Sequence, residues 1–214
     1  MARIDVRRKV LSAARTVFSR KGYNAATVAD ILSEAGIARG TFYKYFPNKR
    51  QVLYEMISGL FNTLYVSSSN MLKVEEPDQF ESRIRESLEL SYRLFIDNRD
   101  VVAVYFREAF RADPGFYSLW DDFDRRMIAL FSDVLSRGME TGKFRNVDKS
   151  LVSRAMFLLF LQVPYWDILI SSNPAIDIEA LAGEMVGFVI NGLKAVPSRG
   201  RSEEIGGVFE GSLG

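Results

Sequence analysis

The sequence predicts an all-α fold: an N-terminal three-helix helix-turn-helix module followed by a larger helical domain. Three observations lead there. Apolar residues recur at helical spacing in segment after segment, no run alternates apolar and polar as a half-buried strand would, and Gly, Pro or Asn stands where the periodic segments stop.

From Arg7 to Lys21 the apolar positions Val10, Leu11, Ala14, Val17 and Phe18 form one helix face, and Gly22 follows as a residue able to turn left-handed after the last turn. Thr27 with Asp30 three residues on reads as a capping box for a second helix over Val28 to Ala35, stopped by Gly36. Ala38 then stands at an N-cap, flanked by Ile37 and Phe42 in the positions of a hydrophobic staple. Phe46, one turn beyond Phe42, shares its buried face, and Pro47 ends the third helix. Asn48, with Gln51 at N3, opens a fourth helix carrying Leu53, Ile57, Leu60, Phe61 and Leu64.

Two short helices across a tight glycine turn, packed on a longer first helix, make a helix-turn-helix, whose second helix enters the major groove. Its exposed positions here are Arg39, Gly40, Thr41, Tyr43, Lys44 and Tyr45. Gly40 costs ~1 kcal/mol relative to alanine in a helix, and close approach of the backbone to DNA is a reason to keep it. Tyr43 and Tyr45 suit phosphates, Lys44 and Lys49 add charge, and Arg39 suits the paired acceptors of guanine. Thr27 and Lys49 stand at helix N-termini, where free N–H groups favour an anion. Charge agrees: residues 1–50 hold 11 Lys+Arg against 3 Asp+Glu, leaving 17 against 24 for the rest, so +8 faces −7 in a chain of net +1.

The run AARTVFSRKGYNAATVADILSEAGIARGTFYKYFPNKRQVL, within Val10 to Leu53, closely resembles the DNA-binding domain of the TetR family of bacterial transcriptional regulators. The resemblance covers about the first quarter of the chain. It implies a dimeric, all-helical protein that usually represses transcription and leaves its palindromic operator when a small molecule binds the C-terminal domain. It puts DNA contacts on Thr27, Arg39, Gly40, Thr41, Tyr43, Tyr45 and Lys49, with Lys44 at a variable position. Ala38 departs from the serine that relatives often carry, at a cost of ~1 kcal/mol of capping.

Beyond Leu53, residues 74–79 read as a loop, Phe80 to about Asn98 as a helix, and Asp100 as the cap of a short helix through Phe110. Ala112-Asp113-Pro114-Gly115 reads as a turn, and a long helix then ends near Gly142. The last two helices, Ser150 to about Ile170 and one from Ile178 to Leu193, have little polar surface. They predict a four-helix homodimer interface through Met156, Leu159, Val163, Leu181, Met185, Val189 and Leu193, with Gly183 and Gly187 allowing close approach.

The rings Phe61, Tyr65, Tyr92, Phe95, Phe106, Phe110, Trp120, Phe123, Phe157 and Phe160 are the candidate effector pocket, for an apolar or aromatic molecule. Glu108, Asp121, Asp122 and Asp124 could meet a cation, although a solvated acidic face accounts for them as well. The domains are expected at 1–47 and 48–196, with a disordered tail at 197–214.

Composition narrows the alternatives. The chain has no histidine and no cysteine, which removes histidine-assisted nucleophiles and ordinary zinc sites, so no metal, no cofactor and no enzyme activity are expected. Gly138 to Lys143 resembles a phosphate loop but is one residue short and lacks the following Ser/Thr. The apolar run from Ala155 to Trp166 falls short of the ~20 residues of a membrane span, and a cytoplasmic location is expected. The remaining alternative is a helical carrier of a small apolar molecule with no DNA role.

Overall fold

A computed structural model describes residues 2–73, 79–110, 113–166 and 176–195. In chain order these form α1 (Ala2–Lys21), α2 (Val28–Ala35), α3 (Arg39–Tyr43), α4 (Lys49–Leu72), α5 (Phe80–Asp97), α6 (Arg99–Val104), a π-helical turn (Tyr105–Ala109), α7 (Pro114–Glu140), α8 (Lys149–Pro164) and α9 (Ile178–Leu193). Among the described residues there is no strand, only an isolated bridge between Phe144 and Lys194. The tail expected at 197–214, the loop at 74–78 and the continuation of α8 toward residue 170 lie outside the described residues.

Local chemistry sets the helix ends. The capping box at α2 forms in full: Asp30 N–H donates to Thr27 Oγ1 (3.2 Å) and Thr27 N–H donates to Asp30 Oδ2 (3.0 Å). Gly36 ends α2 in the left-handed region at φ 62°. Asn48 caps α4 by accepting from Gln51 N–H at 2.9 Å, and Asp148 and Asp177 do the same for α8 and α9.

Three boundaries differ from expectation. α3 stops at Tyr43, and the chain turns on through Phe46, whose N–H still reaches the Phe42 carbonyl (3.0 Å), because Pro47 disfavours helix before it. Asp100 does not cap α6. Asn98 holds the cap position and makes no capping bond, since its Nδ2 donates back to the Leu94 carbonyl (2.8 Å). Pro114 and Gly115 are the opening of α7, not a turn: Asp113 accepts from Gly115 N–H (2.8 Å), and Pro114 suits a first position that needs no N–H.

The first three helices close over Val10, Ala14, Phe18, Ile31, Phe42 and Phe46, and α4 brings Val52, Leu53 and Ile57 into the same core. The upper part of α4 then packs on α5 and α7, α5 on α9, and α7 on α8. α4 is therefore shared, starting under the helix-turn-helix and ending beside the far end of the bundle.

Candidate functional site: a helix-turn-helix face, an apolar cavity and the joint between them

On the helix-turn-helix face, Arg39, Gly40, Tyr43 and Lys44 are exposed, and Thr41 and Tyr45 are half-buried. The Arg39 guanidinium lies 5.7 Å from the Tyr43 ring centroid, a cation–π stack that holds both side chains outward. A Cβ built on Gly40 would meet nothing within 4 Å. Nothing inside the protein calls for glycine there. Ala38 makes no side-chain cap, as its chemistry dictates.

Thr27 and Lys49 both have tasks inside the protein, the cap that spacing predicted for Thr27 and, for Lys49, one that spacing did not reveal. The Thr27 hydroxyl donates to Asp30 Oδ2 (2.9 Å), so both its donors serve the cap. Asp30 also accepts from Lys21 Nζ (2.6 Å), and Lys21 and Thr27 together hold its carboxyl down to about 2. Lys49 Nζ donates to the carbonyls of Tyr23 (2.7 Å), Asn24 (3.1 Å) and Ala26 (2.7 Å), 4.7 Å from the Tyr23 ring centroid. An ammonium has three protons, and all three are used. Burial lowers its pKa, and the nearby Glu108 carboxylate opposes that shift. Lys49 is thus a clamp on the α1–α2 loop, a task that its reading as a phosphate ligand did not include.

That loop is also half of a joint to the second domain. Asn24 N–H donates to Glu108 Oε2 (2.8 Å). Gly22 sits at φ 77°, and a Cβ there would come 2.8 Å from Glu108 Oε1. Arg50 forks onto Asp113, Nη2 donating to Oδ1 at 2.8 Å and Nε to Oδ2, and this pairing holds the Asp113 carboxyl down to about 2. Arg15 donates to the Asp97 carbonyl beside them. Glu108 is therefore occupied, and Asp121 and Asp122 pair with Arg125 and Arg126 on their own helix. Burial, then the Asp121 charge, raises the pKa of Asp124. Among the described residues no three potential metal ligands converge.

The second domain encloses an apolar cavity of about 40 Å³ between α4, α5, α7 and α8. Five of the ten expected rings line it: Tyr92, Phe95, Phe123, Phe157 and Phe160. The others do not. Phe61, Phe106, Phe110 and Trp120 form a ring cluster on the joint side, and Tyr65 lies under the Arg126 guanidinium, 3.8 Å from its centroid. Sequence reading missed Ser68, Ser87 and Ser91, which line the same cavity with aliphatic residues such as Leu64, Ile84 and Leu88. Edge-on and stacked rings run without a break from the cavity wall to α1: Phe123 to Phe61 (4.5 Å), Tyr105 (5.7 Å), Phe116 (6.0 Å), Tyr23 (6.4 Å) and Phe18 (5.5 Å).

The expected interface residues divide. Met156, Met185 and Leu193 are buried in their own protomer, Met185 accepting from the Tyr92 hydroxyl (3.0 Å) where α9 packs on α5. Leu159, Leu181 and Val189 are half-buried, and the Val163 side chain lies outside the described residues. The outer face exposes Leu151, Leu158 and Phe188, and Met156, Leu159, Val189 and Leu193 line a groove of about 680 Å³ between α8 and α9.

Residues 10–56 match the family described as bacterial regulatory proteins, tetR family, and residues 77–193 match the tetracyclin repressor-like C-terminal domain. The chain belongs to the TetR family. It is accordingly a non-enzymatic, DNA-binding transcriptional regulator. The transcriptional repressor KstR2 of Mycobacterium tuberculosis is 29% identical over 150 residues, 69% of this chain and 74% of its own. SmeT in complex with triclosan superposes with a TM-score of 0.75 at 18% identity, covering 91% of this chain and 96% of that one. FadR of Bacillus subtilis in complex with stearoyl-CoA does so at 0.69 and 18%, covering 86% and 98%. No described helix of this TetR-family chain is long and apolar enough to cross a membrane.

Proposed function

We propose that this TetR-family regulator is a cytoplasmic homodimeric repressor that holds a palindromic operator and lets it go when an apolar effector enters the cavity. Residues 1–47 form the reading head and 48–196 the effector and dimer domain. The observation that carries the DNA side is the outward set Arg39, Gly40, Tyr43 and Lys44, in which Gly40 answers no need of the protein itself. Thr41 and Tyr45 complete the contact, and the Val28 and Ala29 amides at the start of α2 take a phosphate beside Thr27. Two copies pair through the outer face of α8 and α9, with Leu151, Leu158 and Phe188 at its centre, which sets the reading helices ~34–36 Å apart.

Size supplies the mechanism. Small-molecule sites run to ~300–1,000 Å³, and this cavity holds about 40 Å³, so an effector must spread its walls. α4 and α7 line it, and the same helices carry Arg50 and Asp113 to Phe116 at the joint. Spreading them shifts the joint and with it the distance between reading heads. A full reversal of occupancy needs a preference of ~5.5 kcal/mol for the released state. The triclosan of the SmeT complex and the stearoyl chain of the FadR ligand, whose CoA part is charged, support a largely hydrophobic effector.

The test is titration of a duplex from the protein's own upstream region at several salt concentrations. A steep salt slope that flattens in Lys44→Ala, and weaker binding by Tyr43→Ala, are expected. Binding indifferent to salt and to both substitutions leaves the carrier without a DNA role as the better reading.

A further inference from the structure

Ser68 and Ser87 break the pattern of the cavity. They are 2% and 6% exposed, both line it, and neither hydroxyl has a hydrogen-bond partner among the described residues. A helical serine ordinarily bonds back to the carbonyl four residues earlier, as Ser91 does onto Ser87 (2.8 Å). Hydroxyls that forgo this bond and line a cavity take their partner from what the cavity holds, water or a polar group of a ligand.

The rest of the lining says what kind of ligand that is. The Ser91 hydroxyl is taken by the Ser87 carbonyl and the Tyr92 hydroxyl by the Met185 sulfur; the remaining lining residues are apolar and no charged side chain is among them, so an ionised group inside would be desolvated without compensation. The lining runs from Leu64 to Leu72 along α4 and from Phe123 to Phe131 along α7, about 12 Å each at the helical rise. An occupant that follows both spans is elongated.

We infer that the cavity selects an elongated, uncharged hydrophobe bearing an oxygen function part-way along its body, a ketone, ester or hydroxyl, which Ser68 and Ser87 hold by hydrogen bonds. This rests on the cavity being the effector site. It turns a site that would accept any grease into one that discriminates, because a plain hydrocarbon leaves both hydroxyls unsatisfied.

The experiment uses the full-length protein and two probes of nearly the same shape, nonane and dibutyl ketone, whose binding is read by calorimetry or by displacement of an apolar dye. Wild type is compared with Ser68→Ala/Ser87→Ala, a change that alanine's helix preference should let fold, and with Leu88→Trp, which fills the space. Ketone affinity is expected to fall about tenfold in the double variant while nonane affinity holds or rises, and both probes should be lost in Leu88→Trp. An unchanged ketone-to-nonane ratio in the double variant overturns the serine role and leaves the apolar site standing, with ordered water as the serines' partner. Failure of both probes to bind wild type, or binding that survives Leu88→Trp, overturns the cavity reading and this inference together.

Discussion

Replacing Gly40 with alanine should move stability and DNA affinity in opposite directions. The added Cβ meets no atom within 4 Å, so it strains nothing in the free protein. It removes glycine's excess backbone entropy, worth up to about 1 kcal/mol inside a helix and less this close to the start of α3. In a chain of this size that raises the melting temperature by ~2–4 °C at most. If the Gly40 backbone lies against DNA, the same methyl displaces it, and a loss of at least tenfold in operator affinity is expected, ~1.4 kcal/mol. Gly59→Ala is the control: Gly59 lies inside α4, away from the helix-turn-helix face, and its built Cβ also meets nothing within 4 Å. It should gain stability and keep its affinity. Thermal melting and fluorescence anisotropy on the two variants decide the matter. A Gly40→Ala protein that melts higher and binds the operator as tightly as wild type would falsify the close-approach reasoning.

Lys49→Met should lower the melting temperature by ~4–8 °C, for a loss of about 2 kcal/mol, because three carbonyls lose one charged donor, while the salt slope of DNA binding stays as it was. Lys44→Ala should do the reverse, leaving melting unchanged and reducing the slope by ~1. Phe188, 74% exposed on α9, should be needed for pairing, so Phe188→Glu is expected to run as a monomer by native mass spectrometry; a dimer at the same concentration removes α9 from the interface. Asp113 is held down to about 2 in the folded protein against an ordinary carboxyl near 3.9 when unfolded. Its stabilising share is therefore complete above about pH 4 and fades as pH falls toward 2. Asp113→Asn should melt lower than wild type at pH 7 and flatten the acid limb, and parallel acid limbs in the two proteins would count against the pairing.

What was legible in the sequence is what a few neighbouring residues decide. Thr27 with Asp30, Asn48 with Gln51, and Gly36 after Ala35 each set a helix end through bonds spanning three to five positions, and all three stand where the spacing put them. Phe42 and Phe46 were readable as buried because they follow one helix face. The joint was not readable, since Asn24 meets Glu108 and Arg50 meets Asp113 across 84 and 63 residues with no periodicity to announce it. Lys49 shows the same limit: at a helix N-terminus beside a basic face it suggests an anion, and only the fold reveals three carbonyls within its reach. The pocket was half readable because aromatic content says how many rings are enclosed, whereas helix rotation decides which of them face the cavity. That rotation turned Phe61 and Trp120 toward the joint and brought the unremarked Ser68 and Ser87 inward.

The ring cluster at the joint gives the protein an optical reporter of its own. Of its two tryptophans, Trp166 is 58% exposed and Trp120 is half-buried, packed between Phe61, Phe106, Phe123 and Phe157. Phe123 and Phe157 are themselves cavity wall. Emission from Trp120 therefore senses the dielectric of the space an effector fills, and Trp166→Phe leaves it as the sole emitter. Spreading of the cavity walls should appear as a change in its wavelength and lifetime, so that occupancy can be followed in real time, without a label, while the same sample is titrated with DNA.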